Sequence, residues 1–289
     1  MFALALFAVF FAIALAGLPL MYSLLATTIG FIVAGGLGHP LTSVYLSYIG
    51  GVEPFILIAV PLFIFAGELL SEGGVGRRIV AFAHALLGWL PGGLGVVTVA
   101  SCLMFGGVSG SAIADTAAIG SMVIPAMVKQ GYSRGFAAAL LSVAGTLALL
   151  MPLSIPFLVY AFISGVSMRQ LSMAGVVPAI VMAIALIVVC IWYGRKSGCD
   201  NGQERSTLPQ IWFATKDAGP ALLMPIIIVG GIWSGLFTPT EAASIAVIYG
   251  LCISIFLYKD IGWHDLPRLI LKAFSTSATV MLVIGATGA

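Results

Sequence analysis

Charge is what this sequence has least of. Only 8% of its 289 residues are Asp, Glu, Lys or Arg, against roughly 25% in soluble domains, which excludes a water-soluble globular fold. Cysteine is scarce too: Cys102, Cys190, Cys199 and Cys252 form no CxxC pair, so neither a disulfide framework nor a zinc site is expected. The three histidines, His39, His84 and His264, fall in loops or interfacial pieces. Twelve Lys and Arg against ten Asp and Glu leave a net charge of +2, too balanced for a nucleic-acid partner.

What is present is apolar sequence, 61% of residues with a mean hydropathy of +1.17. Ionisable acids and bases are absent from 1–52, 79–114, 135–168, 170–194 and 218–240, gaps that can hold helices of the roughly 20 residues that cross a bilayer. An all-α polytopic membrane protein follows. Candidate spans are 2–16, 18–35, 54–70, 136–163, 173–194, 219–235, 241–258 and 269–289. The N-terminal run lacks the basic n-region of a cleaved signal peptide and reads as the first span. Residues 79–90 are too short to cross and are expected at the interface, with His84 and Trp89 at headgroup depth.

Residues 94–128 fit no simple span, because Gly106, Gly107, Ser109, Gly110 and Ser111 cluster near their middle. One crossing, two crossings or a re-entrant hairpin are possible, and loop charge discriminates among them, since Lys and Arg gather on the cytoplasmic side. If the segment returns to its starting side, every Lys and Arg except Arg169 shares one face; a single crossing divides them evenly. The arms are short for two full crossings, so the expected form is a cytoplasmic re-entrant hairpin. Irregular backbone at membrane depth must be buried in protein or line a polar cavity.

Met151-Pro-Leu-Ser-Ile-Pro156 places two prolines inside a long apolar run. Each removes a backbone donor and frees a carbonyl one turn earlier, so a discontinuous helix over 136–163 is expected, with Thr146 and Ser154 near the break. The polar segment 195–217 reads as a cytoplasmic linker between two halves. A short echo, Pro61 to Gly67 and Pro225 to Gly231, is consistent with an internal repeat. The expected organisation is scaffold-type spans over 1–78, a transport-type region over 79–170, a span over 171–194, the linker, and the start of a second repeat over 218–289.

Asp115 is the only acid between 79 and 199, and an acid at membrane depth marks a functional site by default. It also falls in the first turn of the hairpin's second arm, where a carboxylate stabilises the helix start, and both readings stay open. The free amides at that helix start suit an anion such as a carboxylate. The carbonyl end of the first arm, with the hydroxyls of Ser109 and Ser111, suits a sodium ion. Thr238, Pro239 and Glu241 have the spacing of a capping box, so Glu241 is expected to be structural. Glu68 and Glu72 read as solvated interfacial residues near Arg77 and Arg78, and Glu53 as a cap for the helix that follows Pro54. Gly107-Val-Ser-Gly110 also fits the GxSG pattern of intramembrane serine proteases, but the only histidine after Ser109 is His264, in a loop, so no dyad is expected at depth.

The run GGVSGSAIADTAAIGSMVIPAM (106–127), with PLFIFAGELL (61–70), MPLSIP (151–156) and MPIIIVGGIWSGLFTPTEAA (224–243), resembles the large membrane, or permease, subunit of tripartite ATP-independent periplasmic (TRAP) transporters. The resemblance covers nearly the whole chain in order. It implies an elevator-type ion-transporter fold and a sodium-coupled importer of organic acids, such as a C4-dicarboxylate or a sialic acid, in the bacterial inner membrane. The implied partners are a small TRAP membrane subunit and a periplasmic substrate-binding protein; the only implied cofactor is sodium as coupling ion.

Carried onto this sequence, the resemblance gives Ser109, Gly110, Ser111, Asp115 and Thr116 at the hairpin tip and Thr146, Pro152, Ser154 and Pro156 at the broken helix as substrate or ion neighbours, with Ser109, Ser111 and Thr146 as sodium candidates. The family commonly has Pro-Pro-Ser at the break, where this chain has Met151-Pro-Leu-Ser154. Family subunits continue into a second, inverted hairpin, which is missing from this chain as it ends at Ala289. A sodium-dicarboxylate or citrate carrier working without a binding protein is the alternative, and an intramembrane protease the remote one.

Overall fold

The computed structural model describes residues 2–34, 40–152, 154–199 and 205–288. His39 and Leu153, named in the sequence reading, and part of its 195–217 linker lie outside them. Among the described residues there are thirteen α-helices and no strand. They group into two units, residues 1–58 with 274–289, and residues 59–273.

The first unit holds α1 (Phe2–Leu15), α2 (Leu20–Ala34), α3 (Leu41–Val52) and the C-terminal part of α13 (Leu266–Gly288). Gly17, at φ +95°, and Pro19 separate α1 from α2. The sequence reading expected each of these two to be a span; at 1.5 Å per residue the described helices of 14 and 15 residues reach about 21–23 Å, short of the ~30 Å hydrocarbon core. The sequence reading also placed no element at α3. Glu53 proves to be the C-cap of α3, donating its amide to the Ile49 carbonyl, and not a cap for the helix after Pro54.

The second unit holds α4 (Ala59–Glu72), α5 (Val75–Leu87), α6 (Gly93–Ser109), α7 (Ala112–Lys129), α8 (Arg134–Gly145), α9 (Ile155–Ser164), α10 (Met168–Ser197), α11 (Leu208–Ser234), α12 (Pro239–Leu251) and the start of α13. Five described helices are long and apolar enough to cross a membrane: α7, α10, α11, residues 239–257 and α13. Two bent pairs raise this to seven, α4 with α5 at 64° and α8 with α9 at 42°. The chain is therefore a multi-pass membrane protein.

Local sequence explains where these helices start. Ser133 accepts from the Phe136 amide at 3.2 Å to begin α8. Thr238 accepts from the Glu241 amide at 3.3 Å, while Glu241 Oε2 accepts from the Thr238 amide at 2.8 Å and Pro239 fills the first helical position of α12. The expected linker is shorter than read: α11 begins at Leu208, so the aromatic stretch before Lys216 belongs to a continuous 27-residue helix.

In lipid, helices associate through close packing at small residues more than by apolar burial, and the centre of the unit follows that rule. Residues of α6 from Gly93 to Ser109 are almost all buried, enclosed by α5, α7, α8, α10 and α4. At the helix ends, charge is paired differently from the sequence reading. Glu68 meets Lys272 at 2.7 Å and Glu72 meets Arg268 at 3.1 Å, whereas Arg77 and Arg78 pair with Asp260 at 3.3 and 2.5 Å. Arg78 also reaches Asp217 at 3.3 Å and lies 3.6 Å over the Tyr258 ring.

Candidate functional site

The candidate site is a helical hairpin formed by α6 and α7, whose tip is narrower than the glycine and serine cluster suggests. Gly106, Gly107 and Ser109 are the last turn of α6, and only Gly110 and Ser111 leave the helix. Gly110 takes φ +59°, the left-handed conformation that glycine adopts without steric cost, and its amide bonds the Gly106 carbonyl at 3.0 Å. Ser111 turns the chain back as the N-cap of α7, accepting from the Ala114 amide at 3.3 Å. The cluster is helical because small side chains there permit close packing: a Cβ on Gly106 would lie 2.6 Å from Ala148 Cα and 2.9 Å from Asp115 Oδ2. A Cβ on Gly67 of α4 would lie 3.1 Å from the Ser109 carbonyl.

Asp115 is wholly buried at this tip. The Ser109 hydroxyl donates to its Oδ1, and Ser109 Oγ accepts from the Ser111 amide at 3.2 Å. The other oxygen, Oδ2, faces Gly106 and has no hydrogen-bond partner among the described residues. A buried carboxylate oxygen without a donor is costly, and it is the kind of ligand a cation recruits. The amides of Ala112 and Ile113 begin α7 and have no intrahelical acceptor. Ile113 is 84% exposed, so this side of the helix start is open while Asp115 is turned inward.

Of the other sequence candidates, Thr116 is brought close: its Oγ1 lies where a Cβ on Gly145 would stand, seating α7 against the end of α8. The broken helix is formed by α8, a 3-10 turn over Thr146–Leu150, and α9, which starts on the buried N-cap Ser154. Ser154 Oγ accepts from the Phe157 amide at 3.4 Å. Pro152 is buried and Pro156 exposed. Thr146 is the outlier: its side chain is exposed and its hydroxyl donates to the Val143 carbonyl at 2.7 Å, so the structure does not turn it toward Asp115. Ala148, which sequence reasoning passed over, is the break residue that stands against Gly106 of the hairpin.

Beside the tip, Gly107, Met151, Pro152, Pro225 and Trp233 help to line a cavity of about 400 Å³ whose exposed wall is apolar. Trp233 is fixed by donating its indole N–H to Ser172 Oγ at 3.1 Å. No cluster of three or more His, Cys, Asp or Glu that could hold a metal occurs among the described residues. Among the described residues Ser109 is paired with a carboxylate and with no histidine, so no protease dyad is formed there. Glu241 is engaged in its capping box.

Comparison with known proteins agrees with this architecture. Residues 7–289 match the family described as tripartite ATP-independent periplasmic transporter, DctM component. The chain is 37% identical over 298 aligned residues to the C4-dicarboxylate TRAP transporter large permease protein DctM of Rhodobacter capsulatus, covering 98% of this chain and 67% of that protein. It is 36% identical to the isethionate TRAP transporter permease protein DctMQ of Oleidesulfovibrio alaskensis, covering 93% of this chain and 42% of that one. It is also 36% identical to the 2,3-diketo-L-gulonate TRAP transporter large permease protein YiaN of Escherichia coli, covering 82% and 55%. The chain thus spans between two fifths and two thirds of the length of these relatives, which are transporter subunits and not enzymes. Matched over residues 7–289 and 37% identical to a large permease over 98% of its own length, the chain belongs to the tripartite ATP-independent periplasmic (TRAP) transporter family as its DctM component, the large permease subunit.

Proposed function

We propose that this subunit takes part in sodium-coupled import of a small organic acid across the bacterial inner membrane, with the α6–α7 hairpin re-entering from the cytoplasmic side. The observation that carries the reading is Asp115, buried at the tip with one oxygen bonded by Ser109 and the other without a donor. A sodium ion near Oδ2 replaces the missing donor. The negative end of the α6 dipole favours the same ion. Sodium is cargo here: it binds when the site faces the higher concentration and leaves with the substrate.

The substrate anion has a separate place at the opening of α7, where the amides of Ala112 and Ile113 and the positive dipole end favour a carboxylate. The neighbouring apolar cavity suits the carbon skeleton. Relatives are named for C4-dicarboxylate, isethionate and 2,3-diketo-L-gulonate, all small organic anions, which supports an organic acid without choosing one. Family membership supports two partners, a periplasmic binding protein and a small membrane subunit, and the name DctMQ suggests that the latter is fused in one relative. The resemblance-derived place of Thr146 in the sodium site is not part of this proposal, since its hydroxyl points elsewhere.

The test is uptake of labelled C4-dicarboxylate into proteoliposomes holding the chain with its partner subunits. Sodium-dependent uptake that falls at least tenfold in Asp115→Asn and Ser109→Ala supports the proposal. Uptake unchanged by both substitutions removes the assignment, and full uptake without the binding protein replaces it with an independent carrier.

A further inference from the structure

We propose that the base of the hairpin, opposite its tip, carries a binding site for the headgroup of an anionic phospholipid, built from Lys129, Arg134, Arg195, Lys196 and Arg205. Three segments converge there. The turn before α6 packs its Pro91–Gly92 backbone directly on Gly194 of α10. The turn between α7 and α8 is tied to the same helix end: Phe136 stacks on Tyr193 with centroids 3.7 Å apart, Tyr193 donates its hydroxyl to Ser133 Oγ at 3.3 Å, and Cys199 Sγ meets the Gly131 carbonyl at 3.0 Å. Both ends of the hairpin are therefore held against the last turns of α10.

Around this junction the charged side chains among the described residues are all basic. Lys129, Arg134, Arg195, Lys196 and Arg205 are exposed, and none makes an ion pair among the described residues. With Asp200 and Glu204 of the intervening sequence included, 129–134 and 193–205 still carry five basic against two acidic residues, a net +3. The contrast lies within the same unit, where Arg77, Arg78, Arg268 and Lys272 are all neutralised by Glu68, Glu72, Asp217 and Asp260. An excess of basic residues at loop ends is general in membrane proteins; here four of the twelve Lys and Arg are engaged in ion pairs and five of the others are left together at this junction.

Depth also fits a lipid. Lys196 lies 4.8 Å over the Trp192 ring and Arg205 4.0 Å over Trp89, and Trp at the end of a membrane-crossing helix marks the headgroup layer. The rings hold the cations at the level of lipid phosphates while the apolar flank of α10, with Val188 and Val189 exposed, faces acyl chains. A phosphate bridging α10 and the α7–α8 turn would clamp the hairpin base without touching the tip.

Native mass spectrometry of the full chain in mild detergent, titrated with phosphatidylglycerol or phosphatidylcholine, tests this. Selective retention of phosphatidylglycerol is expected. Each basic group near an anionic headgroup contributes about fivefold, so Arg134→Gln, Arg195→Gln and Lys196→Gln together are expected to weaken it roughly a hundredfold. The charge-control variants Arg77→Gln and Arg268→Gln are expected to leave it within about twofold. Equal retention of phosphatidylcholine, an unaffected triple variant, or an equal loss in the control variants overturns the proposal. Should the triple variant melt below the parent in lipid-free detergent, Lys196→Gln alone carries the same test at about fivefold.

Discussion

Replacing Gly106 and Gly107 by alanine, one at a time, separates close packing at the hairpin from simple helix propensity. Both residues lie inside α6, where Gly to Ala gains about 1 kcal/mol of helix propensity. Gly107 has room, with Pro225 Cβ at 3.8 Å and Met151 Sδ at 3.9 Å from the added methyl. Gly106 does not: the methyl would lie 2.6 Å from Ala148 Cα, 2.8 Å from Ala148 Cβ and 2.9 Å from Asp115 Oδ2. Two of these atoms belong to a short residue with no flexible end to move aside, so the 3-10 turn or α6 must shift, at about 1–3 kcal/mol. The Gly106 variant should therefore be less stable than the Gly107 variant by about 1–3 kcal/mol, and at ~2–4 °C per kcal/mol in chains of this order of size that is about 2–12 °C in melting temperature. Thermal unfolding in detergent, followed by tryptophan emission, measures it. A Gly106→Ala protein as stable as Gly107→Ala would mean that the break does not pack against α6 at Ala148.

Other predictions follow from the helix ends. Thr238→Ala removes the acceptor for the Glu241 amide and is expected to cost about 1 kcal/mol, read as a lowered melting temperature. Arg268→Ala breaks an ion pair of which the Arg is 66% exposed, and should cost well under 1 kcal/mol, less still in high salt. Arg78→Ala removes a side chain only 13% exposed that holds Asp260, Asp217 and the Gly74 carbonyl; the expected loss is about 2–3 kcal/mol in the same assay. Equal effects of Arg78→Ala and Arg268→Ala would show that burial does not set the strength of these pairs.

The sequence announces features whose cause is local. Two prolines four residues apart interrupt the helix after Leu150, and Thr238-Pro-Thr-Glu241 caps α12, because proline geometry and capping need only neighbouring residues. Asp115 stands out for the same reason, as a lone acid in a long uncharged stretch. Features that depend on distant partners are not legible. Nothing near Glu72 in sequence shows that its cations are Arg268 and Lys272 rather than Arg77 and Arg78. Gly106 and Gly107 look alike in the chain, yet only one is pressed against Ala148. Thr146 has the composition of a ligand, but the 3-10 turn directs its hydroxyl back to Val143, and a backbone change of that size has no sequence signature.

Sodium binding at the hairpin tip is the central claim, and the melting temperature of the purified chain in sodium chloride against potassium chloride at equal ionic strength tests it most directly. An ion held at Asp115 Oδ2 binds only the folded state, so stability should rise with sodium concentration as RT ln(1 + [Na⁺]/Kd). Sodium should stabilise the parent over potassium, and the difference should be lost in Asp115→Asn and Ser109→Ala. Equal melting in the two salts, or a sodium effect that survives both substitutions, would contradict it.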